Sequence, residues 1–218
     1  MDVIAIARGG GISTGDAIAR YTLRRGSLLR FLPDGRCAAL DGVGCSIHRG
    51  RPLACRLYPL GLERDGGRER FVALEAAAGS TGVYGVDGTV GEFLAGQEID
   101  SHLALSERYR PLIRTMSERI AGLIDFAAIE PREFWRRAVA EALRETSFDR
   151  NRIIEAIFDA DSYGCARKSI AATVAAHLPA LNDLARHETD ATVIAVAAVL
   201  LAVSLGYSPS EAISAANT

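Results

Sequence analysis

The chain has 218 residues, of which 49% are hydrophobic and 24% are charged, with a formal net charge of −2. This composition is close to that of average soluble domains, which excludes a disordered chain, and the length suits one sizeable domain or two small ones. No apolar run reaches the roughly 18 residues that a membrane-spanning helix needs. The longest run, Ala191 to Leu205, is rich in alanine and predicts a buried helix. Because no secretory signal is recognisable at the start of the sequence, we expect a cytoplasmic protein without a membrane partner.

The charges are distributed unevenly along the chain. Residues 1–70 carry twelve arginines against seven acidic residues, a net charge of +5, whereas residues 71–218 carry a net charge of −7. A basic segment of this kind can mark a nucleic-acid-binding surface. However, all but one of the 25 basic residues are arginine, so arginine is the general basic residue of this sequence. The pattern therefore does not favour a nucleic-acid partner.

The first hundred residues predict short elements separated by glycine and proline. An apolar helix begins at Asp2 and stops at the glycines 9–11, and Ser13 or Thr14 caps a second helix that ends at Gly26. The triple glycine lacks the spacing of a phosphate-binding loop and is interpreted as a helix terminator. Further elements are predicted at 27–32 (strand), 33–35 (turn), 71–74 (strand), 79–91 (loop) and 90–97 (helix).

From Ser101 onward, apolar residues recur at helical spacing, and the sequence predicts about five or six helices. Pro111 begins or breaks one of them, Pro131 lies at the first helical position of the next, and Asp149 caps a third. The remaining helices are predicted at 169–178, 191–205 and 208–216, the last of them beginning at Ser208-Pro209.

The predicted fold class is therefore mainly α. We expect a compact cysteine-containing region with short strands and turns over residues 1–100, followed by an α-helical region over residues 101–218. The C-terminal helices are apolar and rich in alanine, so a homodimer that forms through them is one hypothesis.

Cysteines carry most of the chemical information. Cys37, Cys45 and Cys55 fall within nineteen residues, and Cys165 lies far from them. In a reducing compartment such a cluster favours metal binding or catalysis over disulfides, and thiolates are soft ligands that suit zinc and iron–sulfur clusters. The spacings do not match the CxxC pairs of a zinc ribbon. On spacing alone, a metal site and three ordinary buried cysteines both stay open.

Arginines surround these cysteines in the sequence, at Arg36, Arg49, Arg51 and Arg56. We expect their positive charge to lower the pKa of the thiols and to favour the thiolate form. Two alternatives stay open for Arg51 and Arg56: a hydrogen bond to a metal-bound sulfur or a nearby carboxylate, or exposure to solvent and pairing with acidic residues. The candidate acidic residues are Asp34, Asp41 and Glu63.

The run from Gly44 to Pro59, GCSIHRGRPLACRLYP, resembles the signature of the YkgJ-type cysteine-cluster family, also described as zinc- or iron-chelating CxxCxxCC proteins. That signature reads Cys-x-Ile-Tyr, two residues, Arg-Pro, two residues and Cys-Arg-x-Tyr/Phe-Pro, with an upstream cysteine in the place of Cys37. The similarity continues more weakly through 79–90, Phe93-Leu94 and Gln97, and it covers about residues 2–110.

The resemblance implies that Cys37, Cys45 and Cys55 hold a zinc ion or an iron–sulfur cluster, with the choice of metal left open. It implies no particular reaction. Some proteins that contain this domain are flagellin lysine N-methylases, but nothing in this sequence indicates a methyl-donor site, and whether the protein is an enzyme stays open.

The sequence departs from the family at its start. The family opens with further cysteines before a helix that matches the one beginning at Asp2. Either the chain begins inside a longer reading frame, which we favour, or it has lost part of its ligand set. A fourth ligand would then come from His48 or Cys165. The family has Tyr at the position of His48, which predicts packing rather than ligation, and Cys165 lies in a helical stretch typical of a buried free cysteine.

An alternative interpretation belongs to a different class. The chain could be a helical interaction or scaffold protein whose cysteine segment is a vestigial or structural knuckle. No GxSxG, HExxH, Walker A or EF-hand pattern is present, and the other histidines, His102, His177 and His187, stand alone in the sequence.

Overall fold

A computed structural model describes residues 1–23, 26, 28–65, 68–75, 88–144, 151–164 and 168–207. The described chain is mainly helical with two small two-stranded sheets, which confirms the predicted fold class. The predicted cap at Asp149, the predicted helix at 208–216 and Cys165 lie outside the described residues, as does most of the predicted loop at 79–91. In the part of the chain that the model describes, no helix is both long enough and apolar enough to cross a membrane.

The helices are α1 (Asp2–Gly10), α2 (Thr14–Tyr21), α3 (Leu53–Leu57), α4 (Val90–Gly96), α5 (Ile99–Glu107), α6 (Arg110–Leu123), α7 (Pro131–Ala142), α8 (Arg152–Phe158), α9 (Ile170–His187) and α10 (Ala191–Ser204). The strands are β1 (Thr22–Leu23), β2 (Leu28–Leu29), β3 (Leu60–Asp65) and β4 (Arg68–Ala73). Each sheet is an antiparallel pair, β1 with β2 and β3 with β4. Short 3-10 turns lie at His48–Gly50 and Ala160–Tyr163.

Helix α2 begins as predicted but ends earlier. Ser13 is its N-cap, since the Ser13 hydroxyl accepts a hydrogen bond from the Asp16 amide at 3.0 Å. The helix ends at Tyr21 rather than Gly26, because Thr22 pairs with Leu29 across the first sheet and donates its hydroxyl to the Ile18 carbonyl at 2.8 Å. Strand pairing therefore replaces the last predicted turn of the helix.

The triple glycine does more than terminate α1. Gly11 ends the helix in the left-handed region with φ of 65°, as a terminator should, but Gly9 and Gly10 belong to the helix. A Cβ atom on Gly9 would lie 2.3 Å from the Gly50 amide nitrogen, and one on Gly50 would lie 2.1 Å from the Ala5 carbonyl oxygen. The two glycines therefore allow the 48–50 turn to lie directly against the backbone of α1.

Helix α10 lies at the centre of the hydrophobic core. All residues from Val193 to Ala202 are buried, and the helix packs against α6, α7 and α8. A helix that is apolar on every side must be covered on every side, which confirms the prediction of a buried helix here. The buried residues 3–7 of α1 belong to the same core, so side chains from both ends of the chain contribute to it.

Helix α9 is longer than predicted. It begins after its N-cap Ser169 and continues past Pro179 to His187, although proline removes one helical hydrogen bond. The residues beyond the proline include Leu181 and Ala185, which are fully buried, and their packing keeps the last turns helical. Tertiary contacts therefore outweigh the local signal to stop.

A polar network joins the first two helices to the 160–163 turn. Arg8 forms a two-point ion pair with Asp161, with one contact at 2.5 Å and the other at 3.0 Å. Asp161 also accepts from the Thr14 amide at 2.8 Å, and the Thr14 hydroxyl donates to Asp159 at 2.6 Å. Burial acts to raise the pKa of Asp161, but the hydrogen bonds from Arg8 and Thr14 outweigh it and lower that pKa.

His177 is a core residue whose ring nitrogens both have partners. Nε2 donates to the Ala156 carbonyl at 2.6 Å, and Nδ1 accepts from the Tyr109 hydroxyl at 2.9 Å. Burial lowers the pKa of His177 to about 4, against a smaller opposing effect of the Ala156 carbonyl. The His177 side chain is therefore neutral at pH 7, and its role is structural, since it hydrogen bonds to two other core residues.

We expect Gly9→Ala to destabilise the protein and Gly10→Ala, its matched control, to leave it unchanged or slightly more stable. The new methyl group at position 9 overlaps the Gly50 backbone, and overpacking of this kind costs about 1–3 kcal/mol. At position 10 the nearest atom is 3.6 Å away. Urea unfolding of both variants measures the difference, and equal midpoints would contradict the close approach.

Stability should fall as the pH falls from 6.5 towards 4. In this window the unfolded state protonates His177 and the folded state does not, so up to about 3 kcal/mol is lost. We expect His177→Gln, which can keep both hydrogen bonds but does not titrate, to show a weaker pH dependence in urea unfolding between pH 7 and 4.5. Identical pH slopes for both proteins would contradict this origin.

Candidate metal site

Cys37 and Cys45 lie on consecutive turns of one hydrogen-bonded segment. Cys37 pairs with Phe31 and Cys45 pairs with Leu40, each in an isolated antiparallel bridge. The loop before Cys45 is closed by Asp41, whose Oδ1 accepts from the amides of residues 43 and 44 at 2.9 and 3.0 Å. The segment is thus held in shape by its own backbone hydrogen bonds, and each of the two cysteines directly precedes a turn.

Cys55 lies in the first turn of α3. Pro52 is the N-cap, with φ of −65°, and its carbonyl accepts from the Cys55 amide at 3.0 Å, so the helix that carries Cys55 starts at Pro52. The amide of Leu53 donates to Asp2 Oδ1 at 3.1 Å. A carboxylate from α1 therefore satisfies one of the free amides at the start of this short helix.

All three cysteines carry free thiols. Cys37 is half-buried and packs against the core, whereas Cys45 and Cys55 are exposed as whole residues, although the Cys55 thiol itself is partly shielded from water. The pKa of the Cys55 thiol is raised to about 11, first because of this shielding and then because of negative charge on Cys37, Cys45 and Asp2, with Arg51 opposing. Arg51 acts in the expected direction, but burial and the negative charges outweigh it, so the expected net lowering of the thiol pKa is wrong for Cys55.

The arginines have other partners. Arg51 donates to the side-chain oxygen of Gln97, and its Nη1 lies 3.4 Å from Nε2 of the exposed His48. Arg56 donates to the backbone carbonyls of Arg49, Arg51 and Gln97. Hydrogen bonds to carbonyls and an amide thus occupy guanidinium groups that the sequence placed beside the thiols.

The acidic residues proposed as partners of Arg51 and Arg56 are used elsewhere. Asp34 binds Arg36 at 2.7 Å, Glu63 binds Arg70, and Asp41 closes its own loop. The carboxylate near Arg56 is that of Glu98, at 3.6 Å, and its side chain is 80% exposed. An ion pair so exposed contributes little to stability.

Asp2 and His102 form a pair that the sequence did not reveal. His102 Nε2 lies 2.6 Å from Asp2 Oδ1, and the histidine is buried. Burial acts to raise the pKa of Asp2, but the hydrogen bond from His102 and further positive and hydrogen-bonding contacts outweigh it and lower that pKa. A charged carboxylate therefore lies near Cys55 and is bound by His102. Because Asp2 and His102 are 100 residues apart, no local sequence pattern predicts that they pair.

Three thiols without disulfide bonds lie on one segment, and thiolate sulfur is the type of ligand that soft metals prefer. Within the described residues, however, no three His, Cys, Asp or Glu side chains already converge as a metal-binding group. His48 is exposed rather than packed, contrary to what the Tyr at that family position predicts. Cys165, the other predicted fourth ligand, lies outside the described residues.

Comparison of the chain with protein-family models, with curated proteins and with solved structures found no match. The functional interpretation therefore depends on the chemistry and geometry of the residues described above.

We expect the raised pKa of Cys55 to be visible as slow alkylation by iodoacetamide, with a midpoint near pH 11. Replacing Cys37 and Cys45 by Ser removes two neighbouring negative charges and should lower that midpoint. Asp183→Asn, which changes an exposed acid that does not act on Cys55, is the control. Mass spectrometry of the Cys55 peptide measures the rate, and an unchanged midpoint in the double serine variant would show that the thiols do not influence one another.

Proposed function

We propose that this chain is a metal-binding protein of the YkgJ type, which holds a zinc ion or an iron–sulfur cluster through the thiolates of Cys37, Cys45 and Cys55. The observation that carries the proposal is the mutual influence of these thiols. Besides burial, which is the larger cause, the charges of Cys37 and Cys45 each raise the pKa of Cys55, so both of these sulfurs lie within electrostatic reach of the Cys55 sulfur.

The electrostatics of the site support a cation as the ligand. Thiolates brought together without a neutralising charge repel one another, and the Asp2 carboxylate adds to that repulsion. A bound metal ion reverses this situation, because it stabilises the deprotonated form of every thiol that ligates it. The arginines replace it only in part, since the charge of Arg51 opposes the rise of the Cys55 pKa without reversing it, and Arg56 hydrogen bonds to the main chain.

The position of the thiols also supports the proposal. Cys45 and Cys55 are exposed and lie on short turns, so a metal could reach them from solvent, and small movements of the turns could bring them together. Zinc would supply a structural link or a Lewis acid, whereas an iron–sulfur cluster would supply electron transfer.

Metal analysis with an absorption spectrum on protein purified without oxygen tests this proposal. We expect stoichiometric zinc in a colourless protein, or iron and sulfide in a brown one, and we expect the loss of that metal when Cys37, Cys45 and Cys55 are all replaced by Ser. Asp183→Asn, which keeps every candidate ligand, is the control, and Cys165→Ser tests separately whether Cys165 supplies a fourth ligand. A protein that binds neither metal, even after reconstitution with each, would overturn the proposal.

A second candidate is a helical interaction or scaffold protein with a structural cysteine knuckle. It is favoured by the backbone hydrogen bonds that connect different parts of the segment, such as Ala38 amide to Arg30 carbonyl at 2.9 Å and Ser46 amide to Ala39 carbonyl at 2.8 Å. A stable metal-free dimer, measured by sedimentation of the wild-type chain, would support this candidate over the first.

A further inference from the structure

Arg56 occupies an unusual position beside the candidate site. Its side chain is only 12% exposed, and its guanidinium donates to three carbonyl oxygens: Arg51 at 3.1 Å, Gln97 at 3.0 Å and Arg49 at 3.3 Å. The Arg49 carbonyl belongs to the 48–50 turn, the Arg51 carbonyl directly follows that turn, and the Gln97 carbonyl lies at the end of α4. One side chain therefore joins three backbone segments around Cys55.

Gln97 joins the same segments from the other side. Its backbone carbonyl accepts from Arg56, and its side-chain oxygen accepts from Arg51. The next residue, Glu98, has φ of 56°, a left-handed conformation that is rare for residues other than glycine. Local strain at this position indicates that the surrounding contacts hold the chain in place.

We propose that Arg56 and Gln97 are positioning residues that set the separation between the Cys45 and Cys55 thiols. Arg56 directly follows Cys55 in α3, and the turn whose carbonyls it binds is tied to Cys45, because the His48 amide donates to the Cys45 carbonyl at 3.1 Å. The Arg56 side chain therefore closes the loop between the two cysteines. We call these two residues and their hydrogen bonds the Arg56–Gln97 junction.

Arginine is suited to this role in a way that lysine is not. The planar guanidinium offers five N–H donors in a fixed fork, so it can bind several carbonyls at once in one geometry. A lysine has a single nitrogen on a flexible chain and cannot reach all three oxygens. Arg56→Lys therefore keeps the positive charge but removes the fixed fork of N–H donors that binds the three carbonyls.

As far as metal is concerned, this inference rests on the proposed function. We expect Arg56→Lys to weaken zinc binding about 10- to 100-fold, the range typical of residues that orient metal ligands. Gln97→Ala, which removes the contact with Arg51 but keeps the backbone carbonyl, should have a smaller effect. Arg36→Lys is the matched control, because Arg36 also adjoins a cysteine but is exposed and pairs with Asp34. Competition with a chromophoric chelator measures the affinities, and the Co²⁺ absorption spectrum should change in the Arg56 variant alone.

A second measurement needs no metal. In a background with Cys37→Ser and Cys165→Ser, phenylarsine oxide can be captured by the two remaining thiols, and its affinity depends on their separation. We expect about tenfold weaker capture when Arg56→Lys is added, and no change with Arg36→Lys. If neither zinc nor iron binds to the wild type but capture still depends on Arg56, the proposed function fails and the positioning role stands.

The inference is overturned if Arg56→Lys and Arg36→Lys behave alike in both measurements, or if the arsenical does not bridge the two thiols at all. Should Arg56→Lys alone unfold the protein, Glu98→Gly is added to it, since glycine adopts the left-handed conformation at position 98 without strain. The folded double variant must then show the losses of zinc affinity and of arsenical capture that are expected for Arg56→Lys.

Discussion

Helix α1 and the 48–50 turn meet backbone to backbone, and the placement of the candidate site depends on this contact. The approach is possible because residues 9 and 50 are both glycine, and a side chain on either would overlap main-chain atoms of the other segment. On its other faces α1 is buried through residues 3–7 in the helical core. The turn that follows Cys45 is thus seated directly on the most buried part of the N-terminal region.

The opposite end of α1 holds the other half of the site. Asp2 accepts from the Leu53 amide at the start of α3 and pairs with His102 on α5. One end of the helix therefore supports the turn after Cys45, and the other end supports the helix that carries Cys55. Because α1 belongs to the core, the turn after Cys45 and the helix that carries Cys55 are both attached to the core through α1.

Charge around the thiols differs from what the arginine-rich sequence suggests. The net charge of the segment is positive, yet the pKa of Cys55 is raised, first by burial and then by the negative charges of Cys37, Cys45 and Asp2, which Arg51 opposes only in part. The Arg56 guanidinium hydrogen bonds to backbone carbonyls rather than to a sulfur. Its positive charge is used to assemble the backbone around the site, which leaves the sulfurs available for a cation.

Sequence alone determined the features whose signals are local. The cap at Ser13 or Thr14, the helix start at Pro131 and the buried apolar helix at 191–205 depend on neighbouring residues or on one apolar run. The structure confirms them, with Ser13 as the cap and the apolar helix ending at Ser204. The three clustered cysteines were likewise visible as a set. Only the tertiary structure decided the contacts that assemble the site: Gly9 with Gly50, Asp2 with His102, and Arg56 with Gln97. Each joins residues at least 41 positions apart, and such contacts depend on how the helices pack, for which no local pattern of residues provides a signal.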